Sequence, residues 1–158
     1  MTGKQAIALS ILAIIFSVAL YLMTTVQPAP DERLMFENPR IRLLPGNGPQ
    51  GGFLFIHNTG GQPIKLLSAE SQAFDRIMFH KTEVINGQAH MQAAGNSLLI
   101  PPNESLEFTP GGLHLMMMKP QHQKNIGDTV AVFFTWENAT GEKHRGDVVF
   151  RLVGPGGL

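Results

Sequence analysis

The chain has 158 residues, with 12 Lys+Arg balancing 12 Asp+Glu. One domain is the default at this length, and the zero balance argues against nucleic acid as a partner, because phosphate binding needs a cationic excess. Hydrophobic residues make up 43% and charged residues 15%, which excludes wholesale disorder, and the lack of any cysteine excludes disulfides, zinc ribbons, iron–sulfur ligation and thiol catalysis.

The chain opens with Lys4 and then an uncharged apolar run, Ala6–Met23. As a helix at about 1.5 Å per residue it reaches roughly 27 Å, close to the thickness of a bilayer core. With Lys4 on one side and Asp31 and Glu32 on the other, the positive-inside rule puts Met1 in the cytoplasm and the rest outside. Residues 1–26 therefore read as a membrane anchor holding the chain to the periplasmic face of an inner membrane. The alternative is a cleaved signal leaving a soluble periplasmic protein, but the following Thr24–Pro30 has no clean A-x-A site. Residues 27–38, with Pro28, Pro30 and mixed charges, read as an extended linker. The folded domain is expected over 39–153, with 154–158 as a flexible tail.

Within 39–153, β-rich or alternating runs recur between Gly, Pro and Asn punctuation. They are Arg40–Leu44, Gly52–Asn58, Pro63–Ser71, Arg76–Ile85, Ala89–Ala93, Ser97–Ile100, Glu104–Thr109, Leu113–Lys119, Thr129–Glu137 and Asp147–Val153. Asn86-Gly87 is a strong hairpin turn signal. No run shows sustained helical periodicity and there is no internal repeat, so the domain reads as all-β, an antiparallel β-sandwich. Phe53, Phe55, Phe133, Trp136 and Phe150 are candidates for its inward faces.

The histidines and methionines form an odd pattern. In Leu113-His114-Leu115-Met116-Met117-Met118, residues two apart share a strand face. His114, Met116 and Met118 therefore form one row, and Leu113, Leu115 and Met117 the other. A wet strand face ordinarily carries Thr, Ser, Lys or Glu, whereas methionine there gains little and risks oxidation. Packing into core gaps is the ordinary use of Met116 and Met118. A second cluster, Met78-Phe79-His80, precedes the Asn86-Gly87 turn, and His90-Met91 follows it. The hairpin returns Met91 alongside the strand of His80, where an imidazole and a thioether could face each other.

The order His80, ten residues, Met91, twenty-two residues, His114-x-Met116 resembles the signature of the periplasmic copper chaperones called PCu(A)C. The surroundings are similar too: Asn58-Thr59-Gly60, Asn86-Gly87, Ile100-Pro101-Pro102, Pro110-Gly111-Gly112 before the His-x-Met, and Gly127-Asp128-Thr129-Val130. The resemblance spans roughly Gly51 to Val153. It implies a cupredoxin-like Greek key, copper held by His80, Met91, His114 and Met116, and delivery to a copper acceptor such as a cytochrome c oxidase subunit or another copper chaperone. Met78, His90 and Met118 are possible auxiliary ligands.

The donor chemistry points the same way. Two imidazoles and two thioethers form a neutral, soft set that suits Cu(I) and serves hard ions and zinc poorly, and the absence of carboxylates disfavours calcium, magnesium and manganese. No serine sits in a nucleophile-elbow context, so an enzyme is not expected. The alternative is a structural or protein-interaction β-sandwich without metal, which predicts that the four donors are scattered in space.

Overall fold

In the computed structural model, residues 34–46 and 48–157 are described, and among them there is no helix. The expected anchor or signal segment and most of the expected linker lie outside the described residues. Ten strands follow in order: β1 (Leu34–Arg42), β2 (Gln50–Asn58), β3 (Ile64–Glu70), β4 (Phe74–Ile85), β5 (Gln88–Ala93), β6 (Leu98–Ile100), β7 (Ser105–Phe108), β8 (Leu113–Pro120), β9 (Thr129–Glu137) and β10 (Lys143–Val153). Each run expected to be extended is a strand. β4 and β5 are joined at Asn86 and Gly87, whose φ values of 52° and 78° are those of a type I′ turn, which both residues tolerate.

The first strand differs from expectation. Residues 34–38, read as linker, are already paired, with Leu34 opposite Asn58 and Glu37 opposite Phe55. Asn38-Pro39 reads as a break because proline cannot donate to a ladder. Here the pair is absorbed as a bulge between Glu37 and Arg40, with Asn38 at φ 51°. At the other end the tail turns back, and the Gly157 carbonyl accepts a hydrogen bond from Arg40 Nη1 at 3.3 Å.

The strands hydrogen-bond in the order β5-β4-β8-β7-β2-β1-β10-β9-β3-β6, with β8 also meeting β2. Most pairs are antiparallel, as expected of the sandwich, and two, β1–β10 and β7–β8, are parallel. β1 and β10 lie at opposite ends of the described chain, so no hairpin joins them, whereas β7 and β8 pair only through Phe108 and Leu113, across the short connection 109–112. One core serves the whole ladder: buried apolar side chains come from all strands but β5, among them Ile41, Leu54, Leu66, Phe79, Ile100, Phe108, Leu115, Val132 and Phe150. The two ends of the ladder thus close over a shared interior, as in a sandwich. β5 is exposed at every position and forms one edge.

Some aromatics fall on the other side of the pleat from that expected. Phe134, fully buried, replaces Phe133 in the core, and Phe133 instead lies outward beneath the Arg145 guanidinium, 4.7 Å from its centre. In β2 the core face is Leu54 and Ile56, while Phe55 faces away with His57. Phe53 is buried but against Arg42, whose guanidinium lies 5.3 Å from the ring centre.

Close approach of β2 to β8 depends on glycine. Gly51 pairs with Met116 and Gly52 with Leu115. A Cβ at Gly52 would sit 2.7 Å from Met117 Cε and 3.0 Å from Leu115 Cβ, well inside contact distance, so only glycine lets the two strands meet here. At the far end of β2, buried Asn58 donates to the carbonyls of Gln62 at 2.7 Å and Ile100 at 3.0 Å, and accepts from Gly60 N–H at 3.0 Å. That side chain ties the Asn58-Thr59-Gly60 turn to β6.

Candidate metal centre

β8 alternates as its sequence dictates. Leu115 and Met117 are fully buried, and His114, Met116 and Met118 line the opposite face. β4 pairs with β8 so that Met78 faces Met116, His80 faces His114 and Arg76 faces Met118. Directly paired residues share a face, so Met78, His80, His114 and Met116 form a two-by-two block of thioethers and imidazoles. The two imidazole rings meet edge to face with centroids 6.1 Å apart.

Met91 joins this block from the neighbouring strand. It is paired with Thr82, two residues beyond His80 on the same face. From β5 to β8 is two strand spacings, about 9–10 Å, and small Thr82 between them leaves a path for a long thioether arm. Met91, Thr82, His114 and Met116 line one cavity of about 210 Å³, together with Phe53, Pro110 and others. Burial is graded across the donors. His114 is 8% exposed and Met91 57% exposed, while His80 and Met116 are half-buried.

Hydrogen bonding fixes one imidazole and leaves the other open. His114 Nδ1 lies 3.0 Å from the Gly112 carbonyl, which can only accept, so Nδ1 carries the proton and Nε2 keeps its lone pair. The same carbonyl accepts from Thr82 N–H at 3.0 Å, which holds it in place. An outer partner of this kind is what a metal-ligating histidine uses to set its ring. His80 Nδ1, in contrast, is buried and has no hydrogen-bond partner. Burial first, and the neighbouring His114 second, push the His80 imidazole below its ordinary value, which favours the neutral ring with a free lone pair, the form that ligates a metal.

That depression has a consequence for the metal-free protein. The unfolded chain protonates His80 at higher pH than the folded chain does, so stability is full above the ordinary histidine value and falls as pH drops through it toward the folded value. The thermal midpoint of wild type should therefore drop more than that of His80→Gln between about pH 7.5 and about pH 5, a window set by the histidine reference value. Equal slopes for the two proteins overturn this account.

The structure brings His80, Met91, His114 and Met116 together, with one change of pairing: His80 faces His114 and Ala93, not Met91, which is one pair further along. Of the auxiliary candidates, Met78 belongs to the block. Met118 lies one pair away opposite Arg76, toward the strand end. His90 is paired with Glu83, one residue from Met91 and so on the opposite face of the ribbon, where it cannot reach the others. Sequence reading missed Thr82 and the Gly112 carbonyl. The hairpin count from Asn86-Gly87 does put Thr82 opposite Met91, but no residue type announces a carbonyl partner. Among the described residues no three His, Cys, Asp or Glu side chains gather in a metal-holding group; the donors of this block are imidazoles and thioethers, a soft set that suits Cu(I).

The family model described as LpqE-like matches residues 34–145, most of the described chain. "Putative lipoprotein Lxx21020" of Leifsonia xyli subsp. xyli is 31% identical over 87 residues, 55% of this chain and 52% of its own length. "Uncharacterized protein RP573" of Rickettsia prowazekii is 26% identical over 88 residues, 56% of this chain and 49% of its own. The chain thus spans about half the length of the curated relatives it matches. Among solved structures, the apo PCuAC domain of PmoF2 superposes with a TM-score of 0.60 at 17% identity, covering 82% of this chain and 96% of that domain. The Cu(I) form of DR1885 from Deinococcus radiodurans gives 0.52 at 22% identity, covering 82% and 80%. These establish a PCuAC-like fold.

Proposed function

The chain belongs to the LpqE-like family, and from that premise we propose that it is an extracytoplasmic copper carrier of PCu(A)C type, holding Cu(I) through His80, Met91, His114 and Met116 and passing it to an acceptor such as a cytochrome c oxidase subunit. The observation that carries this reading is the convergence of the donors: paired His80 and His114, with Met116 and Met91 on the same sheet face. The orphaned His80 Nδ1 supports it, because a buried polar atom without a partner is costly unless something binds there. A PCuAC domain of PmoF2 was solved with copper bound, and DR1885 as its Cu(I) form; both share this fold.

Copper is cargo here, not a catalyst, and the protein is not an enzyme. A soft site with one donor more than half exposed suits exchange: Met91 can swing away and leave a coordination position to an incoming ligand of the acceptor. The Ala6–Met23 run anchors the chain with the domain on the periplasmic face, or is removed as a signal. In the test, wild-type protein competes with a Cu(I) chelator and is then mixed with a metal-free copper domain of an oxidase subunit. One tightly held equivalent followed by transfer is expected. Failure to retain Cu(I) against the chelator overturns the reading, and retention without transfer overturns the delivery step.

A further inference from the structure

A second donor cluster lies at the other end of β2. Gly51 adjoins the His-x-Met strand, whereas His57 is six residues further along, about 20 Å away at the usual strand rise. His57 Nδ1 is 2.6 Å from Ser105 Oγ, and His57 Nε2 is 3.2 Å from Glu37 Oε2. Met35 is the direct β1 partner of His57, so the thioether and the imidazole share a face, and Met35 is 56% exposed. Met35, Glu37, His57 and Ser105 line one open cavity of about 380 Å³.

The donor spacing fits an ion. An imidazole nitrogen and a carboxylate oxygen bound to one transition metal at about 2.0–2.2 Å, roughly 90–110° apart, lie about 2.8–3.5 Å from each other. The His57 Nε2 to Glu37 Oε2 separation of 3.2 Å falls within that range. Ser105 supplies the outer partner: its hydroxyl oxygen lies 2.6 Å from Nδ1 and can accept Nδ1–H, which would leave the Nε2 lone pair free for an ion beside the carboxylate. In the metal-free protein the contact between His57 and Glu37 is a hydrogen bond, whose proton a bound cation would replace. In a chain with no cysteine, the soft donor open to such a site is a thioether, and Met35 offers one from the strand position opposite His57.

We propose that Met35, Glu37 and His57 form a second copper site, one that takes Cu(II), with Ser105 orienting the imidazole. Imidazole and carboxylate are good donors to Cu(II), which stands at the top of the affinity order for divalent first-row ions and accepts a weak axial thioether. This set differs from the His/Met block on β4, β5 and β8 by its carboxylate and its single imidazole. The inference does not depend on what that block binds.

The test uses the full chain carrying His80→Ala and His114→Ala, which removes both imidazoles of the first block. Cu(II) is titrated and followed by electron paramagnetic resonance. One equivalent is expected, with superhyperfine coupling to a single imidazole. On that background, Ser105→Ala should weaken binding by about 10–100-fold, the usual loss for an outer partner, and His57→Asn should weaken it further. A background protein that binds no Cu(II), or a His57→Asn derivative that binds as its parent does, overturns the proposal and leaves the cluster as a hydrogen-bonded surface group. If His57→Asn does not fold, Glu37→Gln, an exposed side chain outside the core, decides by the same measurement.

Discussion

Met116→Leu is expected to fold as wild type does and to lose more than about 100-fold in Cu(I) affinity, because even loss of an outer partner of a metal ligand costs about 10–100-fold. Leucine matches methionine in volume, so packing changes little, and Met116 is only half-buried on the face away from the core. Met91→Leu should behave likewise, being 57% exposed and opposite only Thr82 in its own ribbon. Both variants should keep most of their Cu(II) binding, since a thioether matters chiefly to the reduced ion. His114→Ala should lose both oxidation states at this block, because it removes the one imidazole whose ring is set by the Gly112 carbonyl. A competition titration with a Cu(I) chelator, run beside thermal melts of the metal-free proteins, reads all three. Wild-type Cu(I) affinity in both methionine variants overturns the site.

Much of this arrangement is legible in the chain because a strand has a period of two. His114, Met116 and the intervening Leu115 state the two faces of β8 outright, and Asn86-Gly87 fixes the β4–β5 register once it is read as a two-residue turn, since that turn type admits one pairing. What the turn cannot fix is which strand lies on the other side of β4. That neighbour is β8, more than thirty residues away, and the pairing of His80 with His114 follows from closing the sandwich, not from any local signal. The misplaced aromatics have the same origin. Phe133 and Phe134 are adjacent and equally apolar, so alternation alone does not say which is inward, and Phe134 is inside because Val130 and Val132 set the parity of β9. The start of β1 was obscured by Asn38-Pro39, because a bulge reads locally as a turn. His57, Glu37 and Ser105 come from three separate strands, and nothing in their spacing announces that they meet.

Leu115→Ala should destabilise the protein by about 2–5 kcal/mol, the usual loss for a buried leucine whose cavity cannot collapse. Leu115 is fully buried, it pairs with Gly52, and its Cβ lies 3.0 Å from where a Gly52 side chain would begin. Glycine offers no side chain to refill the space, so relaxation there is small. For a domain of this size the loss corresponds to a fall of roughly 10 °C or more in Tm. One residue on, Met116→Leu should change Tm by only a few degrees, since volume-conserving swaps usually cost under about 1.5 kcal/mol. The contrast tests the division of β8 into a core face and a ligand face, on which the copper reading depends. The measurement is a pair of thermal melts on metal-free protein, with Cu(I) affinity taken at a temperature where Leu115→Ala remains folded. Leu115→Ala should then bind Cu(I) nearly as wild type, because Leu115 points into the core, away from the donors. A reversed result, with Met116→Leu strongly destabilised and Leu115→Ala stable but unable to hold Cu(I), would mean that β8 turns its thioethers into the core, and the site built on its other face falls with it.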